Sequence, residues 1–175
     1  MRLRLRLLWI ILTSLFRKPI VNLDEGVIEL RVLPNDVDIT KITSDRYTAL
    51  MELGRIDYTF RTGLGNVMIK NKWMPVATFN TIRFRYPLKI FQKYQLKTKI
   101  IWWDDTTIYW EQTFEREGRI VATGHVCATL MDKNGIISSK DILAIIGPGV
   151  TKPDRPEIAS KLQDAENMIH KTQKD

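Results

Sequence analysis

Two aspartates, Asp36 and Asp38, stand in a polar loop between a strand ending at Leu33-Pro34 and a helix that begins near Ser44 or Asp45. Strand, acidic loop and buried helix together make an architecture in which a reaction can be run, with carboxylates as the reactive groups. Other chemistries are poorly supplied. The chain of 175 residues has one cysteine, Cys127, and two histidines, His125 and His170, far apart in sequence. That leaves no spacing for a zinc site and no set for a Ser-His-Asp triad. A lone cysteine in a strand pattern reads as a sheet residue. It cannot form an internal disulfide, which fits a reducing cytosol.

The helix behind the acidic loop is predicted over Asp45 to Thr62. Plotted at about 100° per residue, Thr48, Glu52, Arg55, Thr59 and Thr62 fall on one narrow stripe, and the apolar residues from Tyr47 to Phe60 spread over most of the rest. A surface helix needs an apolar stripe only somewhat over 100° wide, and this arc is roughly twice that. Such a helix must be surrounded on most sides, by a curved sheet or a partner subunit. Asp57 and Arg61 lie within the apolar arc at i, i+4 and can pair there; Glu52 and Arg55 are spaced for an i, i+3 pair on the polar stripe.

The sheet follows from the remaining pattern. Strands are predicted over Val27 to Leu33, Trp73 to Tyr86, Gln95 to Trp103, Thr106 to Arg116 and Arg119 to Asp132, with Val67 to Lys70 as a further short strand. In the last three long strands one face carries Leu96, Ile100 and Trp102, then Ile108, Trp110 and Phe114, then Ile120, Ala122, Gly124, Val126, Ala128 and Leu130. The other face carries Lys97, Lys99, Glu111, Thr113, Thr123 and His125. One apolar and one polar face indicate an antiparallel sheet covered on one side, with Ala122, Gly124 and Ala128 small enough to let a helix approach. Ser139 to Ile146 reads as a short helix or strand end. Ile158, Leu162, Ala165 and Ile169 give the C-terminal segment a helical stripe.

The fold class is therefore α+β: a single antiparallel sheet of five to six strands wrapped around a long central helix. Three segments are expected: residues 1–20 as an N-terminal amphipathic helix, residues 21–146 as the main domain, and residues 147–175 as a Pro/Gly linker with a C-terminal helix. In the first segment, arginines at 2, 4 and 6 precede an apolar run from Leu7 to Phe16, closed by Arg17 and Lys18. That run is short of the roughly 20 residues that span a bilayer. It suits a helix lying in a membrane interface through residues 1–18, with Trp9 and basic flanks as anchors. Packing on the domain or across a dimer, and a cleaved or spanning segment, are the alternatives. The net charge of +7 favours an acidic partner, and the absence of a long basic run argues against nucleic acid.

The residues RVLPNDVD…RYTALMELGRIDYTFRTG resemble the acyl-CoA thioesterase-like branch of the 4-hydroxybenzoyl-CoA thioesterase superfamily, whose fold is the hotdog fold. Members carry D-x-D-x-x-x-H-M-N-N-x-x-Y and then a helix with an acidic residue, Leu or similar, Gly and Arg. Asp36, Asp38, Tyr47, Glu52, Gly54 and Arg55 match that pattern. Lys41-Ile42-Thr43-Ser44 replaces His-Met-Asn-Asn, and the spacing from Asp38 to Tyr47 is one residue shorter. The resemblance implies a homodimer or dimer of dimers, with acyl-CoA sites at the subunit interface and no cofactor or metal. It assigns Asp38 as nucleophile or general base and a backbone N–H near Ser44 or Asp45 as oxyanion donor. Tyr47 joins the substrate site, and Glu52 is a second candidate acid. Arg83 and Arg85, otherwise solvated, are candidates for the phosphates of coenzyme A.

Those roles agree with the chemistry of a thioester. A carboxylate near its carbonyl can attack directly or deprotonate water, and N–H groups at a helix start stabilise the oxyanion. Asp38 as a turn former and Ser44 or Asp45 as a simple N-cap are the competing readings. The expected location is cytoplasmic, or peripheral to the inner face of the membrane. A non-catalytic acyl-binding or membrane-associated protein of the same fold is the alternative function, and a hydratase is a weaker third because His125 lies mid-strand.

Overall fold

The computed structural model describes residues 4–172. Among these residues six strands form one antiparallel sheet: β1 (Gly26–Arg31), β2 (Met74–Phe84), β3 (Lys93–Trp103), β4 (Ile108–Arg116), β5 (Arg119–Asp132) and the short β6 (Gly135–Ile136). The order across the sheet is β1-β3-β4-β5-β2, with β6 pairing β5. The sheet curls around α2 (Ser44–Arg61), the hotdog arrangement. The other helices are α1 (Arg4–Ser14), α3 (Leu64–Asn71), α4 (Ser139–Ile146) and α5 (Glu157–Thr172).

Close approach of α2 to the sheet rests on two glycines. A Cβ at Gly54 would lie 2.6 Å from Thr98 Oγ1, and one at Gly124 would lie 2.5 Å from Met51 Cε. The first lets the helix backbone down onto β3 and β4; the second makes the hollow in β5 that Met51 fills. Leu50, Met51, Leu53 and Tyr58 are buried from the helix side, Leu96, Phe114, Ala122 and Val126 from the sheet side. Asp57 is also buried, held by Arg17 at 2.7 Å and by Arg61 at 3.1 Å.

Three β-bulges move side chains off a strict alternation. Between Ile100 and Trp102 the register shifts, so Trp102 pairs with Tyr109 and joins the outer cluster with Cys127. Trp102 is therefore outward, not inward as simple parity predicts. A second irregularity, between Phe114 and Glu115, buries Val121 and leaves Ile120 exposed. In β2 the shift lies between Ala77 and Phe79, leaving Thr78 out of register.

Residues 67–70 are helical rather than a strand. Leu64 and Gly65 are buried and Met68 packs on the core, and Trp73 N–H closes onto Met68 O at 2.9 Å. Four apolar residues are too few for period to separate strand from helix. Gly63, at φ +82°, supplies the left-handed break between α2 and α3. The outer face of the sheet is not bare. Ala159 and Leu162 of α5 cover Trp102, Tyr109 and Cys127, and Lys152 and Arg155 lie 4.5 and 4.6 Å from the Trp102 ring centroid.

The leader is docked by one face. Ile10 and Ser14 of α1 are buried at i, i+4, and Arg6 on the same stripe reaches Asp36. Leu5, Leu8, Trp9, Leu12, Leu15 and Phe16 are exposed. No helix among the described residues is long and apolar enough to cross a membrane.

Candidate active site

The acidic loop is a short hairpin-like turn fixed by backbone hydrogen bonds. Val37 bridges Ile42, and Lys41 bridges Lys89. Ile42 N–H donates to Leu88 O at 3.0 Å, and Ile90 N–H to Thr40 O at 3.0 Å. Buried Ile42 anchors the end nearest α2. The two aspartates divide their roles. Asp36 is buried and accepts from Arg6 Nη1 at 2.8 and 3.0 Å and from Leu33 N–H at 2.9 Å. It ties the leader and the strand end together. Asp38 is exposed at the start of the turn, where its backbone N–H donates to Lys41 O at 3.4 Å. Among the described residues its carboxylate has no hydrogen-bond or ion-pair partner.

The loop runs directly into the N-terminus of α2. Thr43 precedes the helix in an extended conformation and makes no side-chain cap. The first-turn N–H groups at exposed Ser44 and Asp45 are thus not claimed by it, and the helix dipole adds positive potential there. The Thr43 hydroxyl, with Arg46 adding to it, holds the Asp45 carboxyl below its usual range. Asp45 therefore stays charged and competes with any bound anion for the N–H groups at the same end of the helix.

Tyr47 is in the core. Its ring packs edge-on against Phe84 and Phe114, with centroids 5.0 and 4.9 Å away, and its hydroxyl accepts from Leu88 N–H at 3.4 Å. Burial pushes the phenol above its ordinary value, so it stays neutral. The Phe84 contact sets the end of β2 beside the first turn of α2. Arg83 and Arg85 flank Phe84 in sequence and are exposed. Lys41 and Lys89 sit opposite one another across a β-bridge, an arrangement of like charges that an anion relieves.

Glu52 is not brought to Asp38. Eight residues separate Ser44 from Glu52, about 12 Å along the helix, and Glu52 lies exposed at the mouth of a different feature. This is a cavity of about 540 Å³ between α2, α3 and strands β2, β4 and β5. Nor does Glu52 form an ion pair with Arg55. The Arg55 guanidinium turns inward instead, and Nη1 donates to Gln112 Oε1 at 2.7 Å. Gln112 Nε2 in turn donates to Met51 O at 2.9 Å and Thr98 Oγ1 at 3.0 Å. Sequence reasoning passed over this network, although a signal was present. Gln112 falls on the inward face between Trp110 and Phe114, and Thr98 between Leu96 and Ile100. Polar residues at buried parity positions need partners.

A family model described as the thioesterase-like superfamily matches residues 32–165. Protein THEM6 of Danio rerio is 31% identical over 163 residues, covering 91% of this chain and 78% of that protein. Protein THEM6 of Drosophila melanogaster is 29% identical over 124 residues, 70% of this chain, and the match spans only 62% of the fly protein. Among solved structures, a DHNA-CoA thioesterase from Staphylococcus aureus superposes with a TM-score of 0.62 at 19% identity, over 82% of this chain and 94% of that one.

Proposed function

The chain belongs to the thioesterase-like superfamily, and on that premise we propose that it hydrolyses an acyl-CoA thioester to a free acid and coenzyme A. The observation that carries this reading is Asp38, a carboxylate with no partner among the described residues, on a backbone-pinned turn immediately ahead of the α2 N-terminus. As general base, Asp38 takes a proton from water; the hydroxide adds to the thioester carbonyl, and the oxyanion rests on first-turn N–H groups at Ser44 and Asp45. Collapse breaks the C–S bond, and the coenzyme A thiolate leaves and is reprotonated. Direct attack by Asp38, with hydrolysis of the resulting anhydride, gives the same products.

Other residues take supporting parts. Arg83 and Arg85 meet the phosphates of coenzyme A and Tyr47 holds the loop through Leu88, while Glu52, at the mouth of the cavity behind α2, stands apart from Asp38. A homodimer is part of the proposal. β2 is an edge strand with Met74, Val76 and Phe84 exposed along it, and an exposed apolar edge is one that proteins normally cover. Antiparallel pairing of two β2 strands brings the Met74 end of one copy to the Phe84 end of the other. The test is a panel of aliphatic and aryl acyl-CoAs, assayed for thiol release with wild type and Asp38→Asn.

The exposed face of α1 favours a second reading, a membrane-associated protein of this fold that binds acyl groups without turnover. Leu5, Trp9 and Leu12 recur at i, i+4 and i+7 on the face opposite the docked stripe, and Phe16 is exposed in the turn that follows the helix, as in an interfacial helix. Deleting the leader would also strip Arg6 from Asp36 and Arg17 from Asp57. The cleaner variant is therefore Trp9→Ser with Phe16→Ser. Its binding to anionic vesicles is expected to fall at least tenfold, an order-of-magnitude figure for two buried aromatic side chains; unchanged binding removes membrane contact through α1.

A further inference from the structure

We propose that the cavity behind α2 binds an apolar chain bearing a carboxylate, the chain lying against Ile56, Met68, Trp73, Ile108, Trp110 and Leu130 and the carboxylate on Arg55. The proposal does not depend on turnover at Asp38, because it concerns binding at the other end of α2.

A guanidinium has five N–H donors. Among the described residues Arg55 uses Nη1 on Gln112 Oε1, a neutral acceptor, and makes no ion pair. Among the described residues the other inward-reaching arginines are matched to carboxylates: Arg6 to Asp36, Arg46 to Asp45, and Arg17 and Arg61 to Asp57. Arg55 lines a cavity of about 540 Å³, inside the roughly 300–1,000 Å³ range of small-molecule sites. Burial pulls its pKa down to about 10, with Glu52 opposing, so at neutral pH it is a cation held largely out of water. An unpaired desolvated cation in an apolar wall is costly, and an anion relieves the cost. Gln112 itself does not require a charge, since any N–H donor satisfies its oxygen.

The walls set the ligand class. The lining is mostly aliphatic and aromatic, which suits a hydrocarbon chain. Arg55, Lys72 and Glu52 in the lining leave one net positive charge, so a single carboxylate on Arg55 brings the site to neutrality and a multiply charged phosphate overshoots it. That carboxylate has two sources, a free alkanoic acid or the far end of a dicarboxylic acyl group.

The test compares dodecanoate with dodecanol by titration calorimetry on the full chain, using wild type, Arg55→Gln and Arg55→Lys. Wild type is expected to bind the acid roughly tenfold or more tightly than the alcohol. Arg55→Gln keeps a donor for Gln112 and is expected to lose that preference; Arg55→Lys is expected to keep most of it. Equal affinity of wild type for acid and alcohol overturns the proposal without any variant, and so does a preference that survives in Arg55→Gln. A lower KM for dodecanedioyl-CoA than for dodecanoyl-CoA, lost in Arg55→Gln, assigns the carboxylate to an acyl substrate. Acid-selective binding without that KM difference assigns it to the free acid.

Discussion

Gly54→Ala tests the seating of α2 on the sheet. On an exposed helix the change would stabilise, by about 1 kcal/mol. Here the added methyl would lie 2.6 Å from Thr98 Oγ1, 2.8 Å from Gln112 Nε2 and 2.9 Å from Leu96 Cδ2. Carbon contacts sit best at roughly 3.5–4.0 Å, so all three neighbours must move. None has room, since Leu96, Thr98 and Gln112 are at most 1% exposed, and Gln112 is tied on both amide atoms. Overpacking of this kind costs about 1–3 kcal/mol; three simultaneous clashes belong at the upper end, leaving a net loss of about 2 kcal/mol after the helix gain. At roughly 2–4 °C per kcal/mol for a domain of this size, the Tm should fall by about 4–8 °C. Differential scanning calorimetry measures it. An unchanged or raised Tm would mean that α2 does not lie on β3 and β4 at this distance, and would remove the basis for the Arg55–Gln112 network as well.

Two further outcomes follow from titrating groups. Glu111 is held at about 2, below its ordinary 4.5, first by the hydrogen bond to His125 and then by Lys99. A carboxyl depressed in the folded state stabilises fully above its unfolded value and loses that contribution as pH falls toward the folded one. The stability difference between wild type and Glu111→Gln, read from urea midpoints, should therefore shrink from pH 4.5 to about 2; a constant difference would refute the pairing. Burial pushes the Cys127 thiol up to about 12, with Glu166 and Asp104 adding to it. Native protein should react with an aromatic disulfide reagent only at the rate of global unfolding, and rapid labelling would show that α5 does not cover β5.

The long helix was legible because its apolar arc was too wide for any surface helix, and the hairpins because tight turns separate alternating runs. What failed was parity across bulges. One extra residue near Ile101 reverses which face Trp102 occupies, and nothing in the local pattern marks the insertion. The helix over 64–71 was lost to its short apolar run, and the outer cluster under α5 to the assumption that one polar face is a solvated face. At the site, Asp38 and the N-terminus of α2 could be read from spacing. The division between a buried, paired Asp36 and an exposed Asp38 could not, because the Arg6 partner comes from a leader 30 residues away. Arg55 was read as a surface partner of Glu52, since a helical wheel sees its own helix and not Gln112 on the facing strand.

The most direct test of the proposed chemistry is the kcat for thiol release from the best acyl-CoA of the panel, wild type against Asp38→Asn at equal, verified folding. Loss of a general base or nucleophile should lower kcat by about 10²–10⁴, with the Tm unchanged because exposed Asp38 has no side-chain partner among the described residues to lose. Full activity in Asp38→Asn would contradict the mechanism, and no turnover of any acyl-CoA by wild type would contradict hydrolysis itself.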